Sequence, residues 1–312
     1  MQGIVIRNTG NSYVVRLEAG DEVSCKVKGN FRLKGIRTTN PVAVGDCVFV
    51  DFAEGGADTY YITKVAQRRN YIIRRASNLS KESHIIAANI DIAVLVATVS
   101  HPTTSTTFID RFLATAEAYG VTAALVFNKI DLLDEDWLEY LDAISYLYRS
   151  IGYKVLHCSA VHGDGLDVLR EYLQGKTALF AGNSGVGKTT LLNVLVPGID
   201  AKTAALSDAH DTGMHTTTFS EMYDLPGGGA IIDTPGVRGF GTIDMSKEKV
   251  SHYFPEMFAL ARDCRFANCT HTHEPGCAVL DALEDSRIAR SRYASYLSIL
   301  EDADQGKYRK PQ

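Results

Sequence analysis

The segment Gly182-Asn183-Ser184-Gly185-Val186-Gly187-Lys188-Thr189, continued by Thr190, fits the spacing G-x-x-x-x-G-K-[ST]. Residues of these types can hold a nucleoside phosphate. Glycines let backbone N–H groups close around phosphate oxygens. Lys188 is then placed for the β- and γ-phosphates, and the Thr189 hydroxyl for Mg²⁺. Downstream, Asp233-Thr234-Pro235-Gly236 ends an apolar run. A carboxylate there can hold the cation through water, and the Gly236 N–H can sense the γ-phosphate.

A second constellation selects the base. Asn128-Lys129-Ile130-Asp131 ends another apolar run and resembles the N/T-K-x-D guanine-recognition motif. The Asp131 carboxylate can accept two hydrogen bonds from guanine N1 and N2. Adenine lacks that donor pair and would leave the carboxylate unpaired. Asn128 and Lys129 are expected to brace the loop and stack on the base. Ser159-Ala160 resembles the companion motif that offers an N–H, here that of Ala160, to guanine O6.

Nucleotide switches usually run from phosphate loop to base motif, and this chain runs in rotated order, with residues 128–131 and 159–160 ahead of 182–190 and 233–236. That is a circular permutation, which a parallel sheet tolerates because strand ends rather than chain order define the site. It also joins the segment after 236 directly to the C-terminal region, and nucleotide state is expected to move that region. Between phosphate loop and Asp233 lies Asp211-Thr212-Gly213-Met214-His215-Thr216-Thr217-Thr218. A threonine there, Thr217 by choice, is expected to complete the Mg²⁺ shell. Position 237 is Val, which cannot polarise water, so His215 is the candidate to orient the attacking water.

A third cluster is Cys264-x4-Cys269-x-His271-x5-Cys277. Three thiolates and an imidazole in one short loop match a closed, four-coordinate structural zinc set, with His273 the alternative imidazole. In a chain without a signal peptide, such clustering favours a metal over disulfides.

These residues need elements to position them. The 312 residues are 45% hydrophobic and 22% charged, with a formal net charge of −5. No uninterrupted apolar run is long enough to span a bilayer, so a cytoplasmic monomer without a membrane partner is expected. Residues 1–75 hold 12 Lys and Arg against 7 Asp and Glu, which leaves 20 basic and 30 acidic residues for the rest. A basic N-terminal module on an acidic body is an electrostatic footprint for RNA.

Five short Val-, Ile- and Tyr-rich runs, at Gly3–Arg7, Ser12–Glu18, Glu22–Val27, Asp46–Phe52 and Tyr60–Val65, suit a small OB-type barrel. Residues 70–84 read as a polar linker. Strand–helix alternation then predicts a parallel sheet with helices on both faces. Past residue 246 the strand signal stops, and Lys247–Arg262 and Asp281–Glu301 read as helices. The expected organisation is therefore an OB-fold domain over 1–72, a circularly permuted α/β P-loop GTPase domain over 73–245, and a mostly helical zinc-binding domain over 246–312.

A barrel, a permuted phosphate-loop domain and a Cys₃His loop together resemble the RsgA (YjeQ) family of bacterial small-ribosomal-subunit biogenesis GTPases. The resemblance covers essentially the whole chain and is carried by NKID at 128–131, GNSGVGKTT at 182–190, HTTT at 215–218, DTPGVR at 233–238 and the cysteine–histidine spacing followed by Ala278-Val279. It departs at Gly239 and Thr242, and the tail has only Lys307, Arg309 and Lys310 as basic residues. It implies GTP hydrolysis stimulated by the small (30S) subunit during its late maturation, contact of the OB and zinc domains with 16S rRNA, and assistance of hydrolysis by His215. The residues by themselves leave two alternatives open: an RNA-binding module that uses GTP only as a conformational ligand, and a GTPase acting on another RNA or a protein.

Overall fold

The computed structural model describes residues 1–9, 12–27, 41–52, 60–75, 83–199, 220–234 and 246–305. Five strands, β1 (Gln2–Asn8), β2 (Tyr13–Leu17), β3 (Glu22–Val27), β4 (Cys47–Phe52) and β5 (Tyr60–Val65), follow the expected runs closely. They pair in the order β1-β2-β3-β5-β4, and β4 pairs back onto β1 to close an OB-type barrel. Its inside is packed with alternating residues such as Val5, Val15, Cys25, Val48 and Ile62.

The stretch read as a linker is instead partly structured. β6 (Tyr71–Arg75) and β7 (Ser83–Ala88) form an antiparallel pair. The charges between them hid two short β-branched runs that bury Ile72, Ile85 and Ala87. Ala87 also bridges Val44, which ties this pair to the barrel.

The nucleotide-binding sheet consists of β8 (Ile92–Ala97), β9 (Thr122–Phe127), β10 (Lys154–His157), β11 (Thr177–Ala181), β12 (Glu221–Asp224) and β13 (Ala230–Asp233). The order is β10-β9-β8-β11-β13-β12, parallel throughout except for β12. β8 is buried on both faces, as its uninterrupted apolar sequence requires. Ala93 and Leu95 face α1 (Thr106–Ala118) and α2 (Glu135–Ser150) on one side. Val94 and Val96 face α3 (Leu166–Leu173) and α4 (Lys188–Leu195) on the other. β12 was not legible in the sequence: its four residues carry only Met222 and Tyr223 as apolar positions, and pairing rather than composition makes it a strand. Its outer edge meets β1, where Arg7 stands opposite Glu221 and the Asn8 N–H donates to the Ser220 carbonyl. The barrel is thereby continuous with the nucleotide-binding sheet.

The C-terminal region is helical but more broken than expected. Residues Lys247–Tyr253 form a 3-10 turn, and α5 (Pro255–Ala261) starts afresh with proline in its first turn. The single helix expected over 281–301 is two, α6 (Ala278–Glu284) and α7 (Arg290–Gln305). Ser286 turns left-handed with φ +58°, and the Arg287 N–H returns to the Ala282 carbonyl at 2.8 Å, so the first helix closes.

α7 lies on α1 through a buried charge cluster. The Arg292 guanidinium donates to Asp110 at 2.8 Å and to both Glu256 oxygens at 2.7 and 3.0 Å, and the Tyr148 hydroxyl donates to the same Asp110 oxygen at 2.7 Å. Arg292 is 1% exposed and Asp110 not at all. Removing one partner strands the other's charge in a dry seam. Arg292→Ala should therefore lower unfolding stability by about 3–5 kcal/mol, read from urea denaturation. A loss below about 1 kcal/mol, the range of an exposed pair, would mean that the seam admits water.

Candidate functional site: a nucleotide cradle and a metal cluster

The ends of β9, β10, β11 and β13 bring the sequence motifs together. Glycine is required in the phosphate loop at two places. A Cβ on Gly182 would meet the Val96 carbonyl oxygen at 2.5 Å. Gly187 has φ +85°, and a Cβ there would lie 2.4 Å from the Asn128 amide nitrogen. The loop therefore packs against neighbouring strand ends and runs into α4, with Gly187 as its N-cap. Ser184 and Gly185 are exposed at its tip, Val186 is buried, and Asn183, Lys188, Thr189 and Thr190 are half-buried around the cradle.

Asn128 joins the base motif to the phosphate loop. Its side chain is buried; the amide NH₂ donates to the Val186 carbonyl at 2.9 Å, and the amide oxygen accepts from the Ala160 N–H at 3.1 Å. Asn128 thus braces as the sequence suggested, but the Ala160 N–H points at Asn128. Guanine O6 would have to share that donor. Ser159 is fully buried and shapes the turn below, its hydroxyl accepting from the His162 N–H at 3.0 Å. Lys129 has φ +65°, and its ammonium donates to the His101 carbonyl at 2.8 Å. The turn at 98–105, which the sequence did not single out, therefore forms the outer wall of the base side. Asp131 sits half-buried in the one-turn 3-10 helix Ile130–Leu132. Burial pushes the neighbouring Cys158 thiol up to about 12, so it stays protonated beside the base motif.

On the phosphate side, Lys188 forms an ion pair with Asp233, both largely buried. The lysine expected to hold phosphate and the carboxylate expected to hold the cation thus stand within reach of one another. The Thr234 hydroxyl donates to the Phe180 carbonyl at 3.1 Å and fixes the end of β13 to β11. His215, Thr217 and Gly236 lie outside the described residues.

The second site is the cysteine–histidine loop. The four candidate ligand atoms of Cys264, Cys269, His271 and Cys277 lie within 4.8 Å of one another. Cys264 Sγ is 4.0 Å from Cys277 Sγ and 3.6 Å from His271 Nδ1, and Nδ1 is 3.4 Å from Cys277 Sγ. Ligands about 2.3 Å from a tetrahedral zinc-sized ion stand about 3.8 Å apart, so the donor set fits. Burial pushes the Cys269 thiol up to about 12 and lowers the His271 imidazole, so loading a cation must expel thiol protons. His273, the alternative imidazole, is exposed; its Nδ1 is engaged with the Thr272 hydroxyl and stands outside the cluster.

The sequence missed Glu274. Its carboxylate accepts from the N–H groups of Thr270, Thr272 and His273 and from the Thr270 hydroxyl. Partial burial raises its carboxyl, but these bonds outweigh that and hold it well below the usual range. Tyr293 and Tyr296 of α7 donate to the carbonyls of His271 and Thr270 at 2.7 and 2.6 Å. The loop from Thr270 to Glu274 is thus held from inside by Glu274 and from below by α7.

A family model described as the RsgA GTPase matches residues 65–243, and one described as the RsgA N-terminal domain matches residues 2–60. The chain belongs to the RsgA GTPase family. Curated relatives named "Small ribosomal subunit biogenesis GTPase RsgA" are 58% identical over 309 residues in Bacteroides fragilis and 59% identical over 312 residues in Porphyromonas gingivalis, with 99% of each chain covered. Among solved structures, YjeQ from Thermotoga maritima aligns at TM-score 0.77 and 33% identity, covering 99% of both chains. YloQ, described as a circularly permuted GTPase, aligns at TM-score 0.70 and 28% identity, covering 100% of this chain and 96% of its own. This member of the RsgA family therefore shares the fold of both structures along nearly its full length, and its rotated motif order agrees with the description of YloQ.

Two outcomes follow from the geometry. Gly187→Ala should weaken GTP binding at least about tenfold, because the added methyl drives Asn128 from the loop; a fluorescent-nucleotide titration checks this, and wild-type affinity would disprove the close packing. Glu274→Gln should lower metal affinity about 10–100-fold by loosening the ligand loop, measured by chelator competition against a zinc-responsive dye.

Proposed function

We propose that this protein is a GTPase that hydrolyses GTP on the small ribosomal subunit during its late maturation. The carrying observation is the Asn128 amide, which holds the guanine motif and the phosphate loop as one rigid cradle. Asp131 selects guanine by accepting from N1 and N2, with Lys129 along the base and the Ser159-Ala160 turn beneath it. The loop N–H groups from Gly182 to Thr190 cradle the phosphates, and Lys188 leaves Asp233 for the β- and γ-oxygens. Thr189, Thr217 and, through water, Asp233 are the residues that would hold Mg²⁺, which when bound neutralises charge developing on the β- and γ-phosphates. The Gly236 N–H senses the γ-phosphate, and His215 orients the water.

Cys264, Cys269, His271 and Cys277 would hold one structural zinc, because the set is closed and leaves no open position. The barrel and the zinc loop supply the contacts to 16S rRNA. The relatives' naming for small-subunit biogenesis and the basic balance of residues 1–75 support that assignment. A cytoplasmic monomer fits a partner of that kind.

A second reading, GTP as a conformational ligand with negligible turnover, is favoured by Val237, which offers no group to polarise water. The experiment is GTP turnover alone and with small subunits, large subunits or tRNA. Stimulation confined to small subunits is expected. Stimulation by none of the three would remove the ribosomal assignment and leave the GTP site. In the stimulated reaction, His215→Ala should slow single-turnover hydrolysis by about 10²-fold or more without changing GTP affinity. An unchanged rate would discard His215 as the water-orienting group.

A further inference from the structure

On the surface at the start of α2 lies an open cavity of about 380 Å³ with two aromatic walls, lined by Thr103 from the turn before α1 and by Asp136, Trp137 and Tyr140. The lining is mainly apolar. The indole and phenol rings meet edge to face with centroids 5.8 Å apart and planes at 84°. Tyr140 remains 41% exposed, so its ring is only partly used by the pair. The stretch from Asp131 to Asp142 holds six carboxylates and no Lys, Arg or His. One of them, Asp134, is engaged as the helix cap, accepting from the Trp137 N–H at 3.0 Å.

The chemistry of this cavity selects its occupant. Phosphate is repelled by the surrounding carboxylates, so a nucleic-acid strand does not fit. A neutral apolar group would gain from the rings but leave Asp136 unused. A planar cation uses both: a guanidinium stacks on an aromatic face and pairs with a carboxylate in the same plane. The carboxylates of the stretch 131–142 extend the attraction beyond a single side chain, which favours a basic polypeptide over a free small cation. We propose that the cavity formed by Thr103, Asp136, Trp137 and Tyr140 docks an arginine side chain presented by a basic polypeptide segment. This goes beyond GTP hydrolysis and does not depend on the ribosomal assignment. The acidic helix is then the protein-binding side of a molecule whose basic barrel lies elsewhere.

The test uses the full-length protein and its own reporter, because Trp137 is the only tryptophan in the chain. Nona-arginine is titrated against intrinsic fluorescence at about 0.15 M salt, where exposed charges are largely screened, with nona-lysine and oligoadenylate as parallel arms. A saturable change with nona-arginine is expected, at least about fivefold tighter than with nona-lysine, since the guanidinium adds stacking to charge. Asp136→Asn and Tyr140→Ala should each weaken it about tenfold, and Tyr140→Phe should restore it, while GTP affinity stays unchanged in all three. Equal affinity for the two peptides would overturn the proposal, as would indifference to these substitutions. So would a response to oligoadenylate instead, or a change driven by protein concentration alone, which would make the occupant a second copy.

Discussion

One buried amide holds the nucleotide site together. Asn128 donates to the phosphate loop at Val186 and accepts from the turn after β10 at Ala160, so three strand ends far apart in sequence become a single cradle. Everything else about the site can be permuted around that constraint. The chain may enter the sheet at β8 or at β11; so long as β8, β9, β10, β11 and β13 run parallel and end together, the same side chain closes the same contacts. This is why the rotated motif order costs nothing in geometry. It also explains the need for glycine at 182 and 187, where the loop must approach a carbonyl and that amide too closely for a side chain.

The motifs were legible because their chemistry fixes both residue type and spacing. The phosphate loop and the base motif stand together at the strand ends, and the cysteine and histidine side chains gather in one loop. The parallel strands were equally readable, since burial on both faces leaves β8 uniformly apolar. What escaped was structure made by pairing. β12 has two apolar residues, and β6 and β7 are interrupted by charges; each becomes a strand because a neighbour offers an edge. The long helix expected over 281–301 broke for a reason invisible to periodicity: Ser286 turns left-handed, and two N–H groups return to one carbonyl. Glu274 was missed likewise, because its role depends on which N–H groups a loop gathers, and no spacing announces it.

The helical C-terminal region was expected to move with nucleotide state because the chain runs into it straight after the 233–236 motif. The structure adds a competing constraint. Arg292 is buried between Asp110 and Glu256, and α7 lies along α1, so this region is fastened to the body of the nucleotide-binding sheet by packing as well as by chain connection. A buried ion pair needs good geometry to offset its desolvation. It does not slide gradually: it is either made or broken, and any displacement of α7 from α1 must be a discrete step.

The junction of β1 with β12 has a different consequence. An uncovered strand at the rim of a sheet is a template on which other chains can pair, and β12 would be such a rim if the sheet ended there. The barrel occupies that side. Arg7 and Asn8 meet Glu221 and Ser220, and Arg16 adds an ion pair to Asp224. The N-terminal module therefore also covers the edge of β12 and removes it as a template for pairing between molecules.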